Sequence, residues 1–196
     1  MVGAKVAPKE KKEETVDEII DNFIKIESKK DVISYFIGKE EKIKSNKEKF
    51  IDKLYNRLEK YMLSDEKKRE IVKKNKKQII QTLNKDKYYT KLKDYFPTED
   101  DAFDFYVDNV KNIDALYNKI KPKIDTKEKL EIIKEFLTNE AQKDERIKSE
   151  LSDYVKINFE KARYSVFGAM LYLRAKENPK SEPCKESLIK KDEFTF

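Results

Sequence analysis

Residues 162–179 read ARYSVFGAMLYLRAKENP, the most apolar stretch in a chain otherwise crowded with lysine. From residue 155 one helical stripe runs Val155, Phe159, Ala162, Val166, Ala169, Met170 and Leu173. A second stripe, turned around the same helix, runs Ile157, Tyr164, Phe167, Leu171 and Ala175. Two stripes make the helix apolar over more than half its circumference, so it must be buried on several sides. Ser165, Gly168 and Ala169 are small enough to admit a neighbouring backbone. Gly168 costs a helix interior about 1 kcal/mol relative to alanine, which points to a packing reason. Two readings follow. Either the stretch is the central helix of a bundle, or one stripe is a docking face for another protein or a second copy of this chain.

Both readings need partner helices, and the remaining sequence supplies them. A chain of 196 residues is long enough to bury a core as one domain. Its 11 Phe and 11 Tyr argue against disorder throughout, and only 3 Gly and 5 Pro leave few hairpin turns. No apolar pattern alternates with period two for long enough to demand a strand. The expected fold is all-α, a compact bundle of about seven to eight helices over residues 15–178, with loose tails at 1–14 and 179–196.

The helices announce themselves by caps and by three-and-four spacing. Thr15 with Glu18 forms a capping box ahead of Val16, Ile19, Ile20, Phe23 and Ile24. A short apolar piece, residues 32–37, stops at Gly38. Ser45 with Glu48 predicts a second box before Phe50, Ile51, Leu54, Leu58 and Met62. Ser64 caps a long basic segment carrying Ile71, Val72, Ile79, Ile80 and Leu83, whose stripe is interrupted at Asn75 and Lys76. An aromatic piece follows, with Tyr88, Tyr89, Leu92, Tyr95 and Phe96. Thr98, after Pro97, starts what reads as one helix with the stripe Phe103, Tyr106, Val110, Ile113, Tyr117 and Ile120. Thr126 opens another through Leu130, Ile133 and Leu137.

Charge is unevenly spread. Residues 64–95 hold 11 basic side chains and 5 acidic ones, a net +6 that equals the net charge of the whole chain. Lys73, Lys74, Lys76 and Lys77 followed by Tyr88 and Tyr89 would combine phosphate contacts with base stacking, so polyanion or nucleic-acid binding is the alternative function. Only five of the 45 basic residues are arginine, however, and bidentate phosphate clamps favour arginine. Directly after this block, residues 98–108 hold five acids and no base. They include Asp100-Asp101-x-x-Asp104, which is similar to the aspartate-rich motif of prenyltransferases and terpene synthases. The second metal motif of those enzymes is absent, and acids in a first turn complement the helix dipole. Pairing with the basic block is the expected role, with no metal and no cofactor.

The chain has no histidine, which removes the usual neutral-pH base and the Ser-His-Asp and Cys-His arrangements. Its three glycines are too scattered to cradle a phosphate. One cysteine, Cys184, offers no intramolecular disulfide framework. No run reaches the roughly 20 apolar residues of a membrane span, and the start shows no secretory pattern, so a cytoplasmic location is expected. The functional expectation is a non-enzymatic interaction or structural subunit of a larger assembly. It would dock another protein, or itself, through Tyr164, Phe167, Leu171 and Leu173.

Overall fold

The computed structural model describes residues 13–28, 31, 34–35, 38–140, 143, 145 and 166–180. These residues form an all-helical fold with no strand among them. The helices are α1 (Val16–Lys25), α2 (Glu40–Ser45), α3 (Lys47–Met62), α4 (Asp65–Lys74) and α5 (Lys76–Leu83). They continue with α6 (Lys87–Lys93), α7 (Glu99–Asn109), α8 (Ile113–Ile120), α9 (Thr126–Glu140) and α10 (Val166–Glu177). A 3-10 turn, Lys121–Lys123, carries Pro122 between α8 and α9. Both expected tails lie almost wholly outside the described residues, as do residues 146–165, with Ile147, Leu151, Val155 and Tyr164 among them.

Several caps form as read. The Thr15 hydroxyl accepts from the Glu18 amide (3.2 Å), and Glu18 accepts from the Thr15 amide (2.6 Å), completing the box on α1. Ser64 accepts from the Lys67 amide and Thr98 from the Asp101 amide. At α9 the cap is Asp125, which accepts from Glu128 at 2.7 Å, so Thr126 is the first helical residue.

Three boundaries differ from the sequence reading. Ser45 caps nothing, because its hydroxyl donates backwards to the Lys42 carbonyl at the end of α2, and Asn46 Nδ2 does the same. The basic segment breaks at Asn75, whose amide group donates to the Ile71 carbonyl (3.0 Å) and to Glu128 of α9 (2.9 Å). Such local bonds compete with the helix ladder. The long stripe from Phe103 to Ile120 is two helices. Val110 is extended, Asn112 accepts from the Ala115 amide to restart the chain as α8, and Arg69 of α4 donates to the carbonyls of Val107 and Val110. Those carbonyls would otherwise end α7 unsatisfied. The stripe survives the break: Phe103, Ile113, Tyr117 and Ile120 are all buried, and Tyr106 and Val110 pack against the same core.

The helices form two groups around one continuous apolar cluster. In the first, α10 touches α1, α3 and α9, and α3 also lies along α9 and α1. In the second, α4 packs on α7 and α8, α5 on α8, and α6 on α7. Phe167 meets Phe23 of α1 at 5.9 Å, and Tyr172 meets Tyr61 of α3 and Phe136 of α9 edge-on. Every residue from Val166 to Ala175 is buried, Arg174 included, with its guanidinium 5.9 Å from the Phe23 ring. Arg57 of α3 bridges Asp21 of α1 and Glu177 of α10. The two groups are joined by the buried Tyr55–Tyr117 hydroxyl pair (2.9 Å), by Lys121–Glu59 (2.6 Å) and by Lys67–Glu135 (2.7 Å).

Leu171 is fully buried at the centre of this arrangement. Truncation to alanine should therefore cost about 2–5 kcal/mol, the range for a buried leucine whose site relaxes only partly. Leu171→Glu should abolish the cooperative urea transition followed by circular dichroism, since an unpaired carboxylate cannot be held there.

Candidate functional site

Phe167, Leu171 and Leu173 do not line a surface. They are at most 1% exposed, and α1, α3 and α9 pack around their helix. A partner reaches them only if the domain opens. Tyr164 lies outside the described residues.

The basic block is exposed in part, and here the fold brings the two charged stretches together. Lys73 pairs with Asp108 (2.8 Å), Lys76 with Asp100, and Lys93 with Glu99 (3.2 Å). Lys68 reaches Asp114 of α8 (2.7 Å). Three of the five acids on α7 thus pair with lysines of residues 64–95, and residues 64–108 together keep a net charge of only +1. Exposed pairs of this kind contribute little stability each. Their larger effect is to neutralise the field that a polyanion would follow. Lys74 and Lys77 are exposed, and no hydrogen bond or ion pair engages them among the described residues. The arginines point the same way: Arg57 ties helices, Arg69 caps α7, and Arg174 is buried.

Tyr88 and Tyr89 part company. Asp86 caps α6 by accepting from both their amides, but successive helical side chains diverge by about 100°. Tyr89 is fully buried, edge-on to Tyr106 at 5.3 Å, with Lys93 Nζ 5.7 Å from its ring. Its hydroxyl has no hydrogen-bond partner, and burial, with Glu99 and Asp100 near, pushes its pKa up to about 12. Tyr88 is 64% exposed over Tyr106. Tyr95 in the following turn is 82% exposed, and Phe105 of α7 is 42% exposed beside Phe96, at 5.1 Å. These three are the large exposed hydrophobics among the described residues, and all belong to the α6–turn–α7 unit. Phe105 escaped the sequence reading because it falls off the stripe of α7. A phenylalanine among Asp101, Asp104 and Asp108 on a helix's polar side is the signal that could have found it.

Of the aspartate-rich motif, Asp100 is taken by Lys76 and Asp101 accepts from the Thr98 hydroxyl at 2.7 Å. Among the described residues no group of three or more His, Cys, Asp or Glu side chains is arranged to hold a metal ion. Two grooves lie away from α6–α7. One, of about 570 Å³, runs between the starts of α3 and α9, with Lys47, Glu48, Asp125 and Lys134 around Ile51 and Leu130. The other, of about 330 Å³, lies by Tyr61, Ser64, Phe136 and Asn139. No described helix is long and apolar enough to cross a membrane. No family model matches the chain, and it has no significant match among curated proteins or solved structures.

Two tyrosines separate burial from bonding. Tyr89→Phe removes an unsatisfied buried hydroxyl, so its urea midpoint should equal or exceed that of the parent. Tyr55→Phe breaks the buried pair with Tyr117 and should lower stability by about 1–2 kcal/mol.

Proposed function

We propose that this chain is a non-catalytic protein-interaction or structural module whose contact surface is the aromatic face of α6 and α7. The observation that carries this reading is the gathering of Tyr88, Tyr95 and Phe105 on one helical unit, while the other large apolar side chains among the described residues are buried or half-buried. Clustered exposed aromatics favour protein contact because they bury large area at low conformational cost. The docking surface is thereby moved from the last helix, whose apolar residues serve the core, to the opposite helical group.

Nucleic-acid binding is the weaker reading. Its lysines are half engaged by α7, one of its two tyrosines is inside, and the three described arginines all have structural work. Lys74, Lys77 and Tyr88 alone make a short track for a phosphate backbone.

The test compares the parent chain with a Tyr88→Ser, Tyr95→Ser, Phe105→Ser variant as bait in native lysate, with and without nuclease. The variant should keep its helical circular dichroism and lose a defined protein set that the parent retains after nuclease. Bound material that disappears with nuclease would favour the polyanion reading. An unchanged set on the triple variant would place the contact surface elsewhere.

A further inference from the structure

We propose that the partner of the α6–α7 face is a second copy of this chain, related by a two-fold axis through the aromatic seam. This rests on reading that face as the interaction surface. The seam has two unlike banks. On the α6 side, Lys87 and Lys91 stand one helical turn apart, both exposed and with no polar partner among the described residues. Asp94, exposed beside them, offsets one of their charges. On the α7 side, Asp101, Asp104 and Asp108 are exposed at steps of three and four, with no base within α7. Asp101 accepts from Thr98 and Asp108 from Lys73, while Asp104 has no polar partner among the described residues. Between the banks lie Tyr88 over Tyr106, then Phe105 against Phe96, with Tyr95 beside it in sequence.

A two-fold contact sets each patch against its own counterpart turned through half a circle. With the axis running along the seam, that places the basic bank of one copy on the acidic bank of the other, twice, with aromatic side chains meeting at the axis. An unrelated partner would have to supply both signs in this order, whereas a copy of this chain carries them already. Complementary charge of this kind sets orientation and encounter rate more than affinity.

Size decides the strength. The 11 residues of α7 span about 16 Å, and two helices side by side are about 20 Å wide. Their face projects roughly 300 Å², well short of the ~800 Å² per partner of a standard stable interface. The dimer should therefore be weak, reversible and sensitive to salt.

Sedimentation of the full chain from about 10 μM to about 1 mM, the range expected for an interface this small, reads the outcome directly. The expected result is a mass that climbs from monomer towards dimer with concentration, less steeply in high salt. Lys91→Glu and Asp104→Lys should each weaken association by about fivefold, as loss of an exposed charge pair would, and the double swap should recover it. A monomer at every concentration overturns the proposal, as does a dimer indifferent to these substitutions. If the chain is monomeric while the triple aromatic variant still loses its nuclease-resistant proteins, the second copy is excluded and the interaction face stands. If neither responds, both readings fall.

Discussion

The arrangement depends on hiding one helix from water. From Val166 to Ala175 every side chain of α10 is buried, so no single neighbour can shield it. It needs α1, α3 and α9 around it, and each of those has one apolar stripe to give and one charged face to leave outside. At about 1.5–3 kcal/mol per fully buried large apolar side chain, no ion pair on this surface competes with that demand. The pairs serve orientation: Arg57, between Asp21 and Glu177, fixes how α1 and α10 sit against α3. A helix committed this fully to the interior has no second face to offer, and any contact surface has to be sought in the other helical group.

There the governing term is electrostatic. Residues 64–95 would repel one another as an isolated basic segment, and α7 would do so as an acidic one. The pairs that Lys73, Lys76 and Lys93 make with α7 relieve both. They also use side chains that sequence alone would assign to phosphate. What is left outward on α6 and α7 is the aromatic group of Tyr88, Tyr95 and Phe105, with the remaining charge in two opposite banks.

Much of the fold was legible because its signals are local. Thr15 with Glu18, Ser64 and Thr98 each make a bond within three residues, and the apolar periodicity of α1, α3 and α9 needs no tertiary knowledge. The misses are non-local. The break at Val110 leaves no trace in the steps of three and four, because both helices continue the stripe onto α4 and the carbonyls are capped by Arg69, some forty residues earlier. The Ser45–Glu48 pattern failed because a serine that donates backwards looks the same in sequence as one that accepts forwards. The break at Asn75 was half visible as an interrupted stripe, but its bond to Glu128 was not. Of the candidate site, spacing held more than was read from it. Tyr89, Leu92 and Phe96 form one stripe and turn inward to varying depth, whereas Tyr88 and Tyr95, seven apart, form the outer one.

The central claim is that α10 is interior, and native-state hydrogen exchange tests it most directly. If the helix is the element around which the rest assembles, its amides from residue 169 onward should exchange only through global unfolding, as slowly as the most protected amides of α3 and α9. Exchange of α10 well ahead of α3 and α9, with those two still protected, would contradict this. It would mean that the apolar helix detaches from a domain that stands without it, and that its grease belongs to a partner after all.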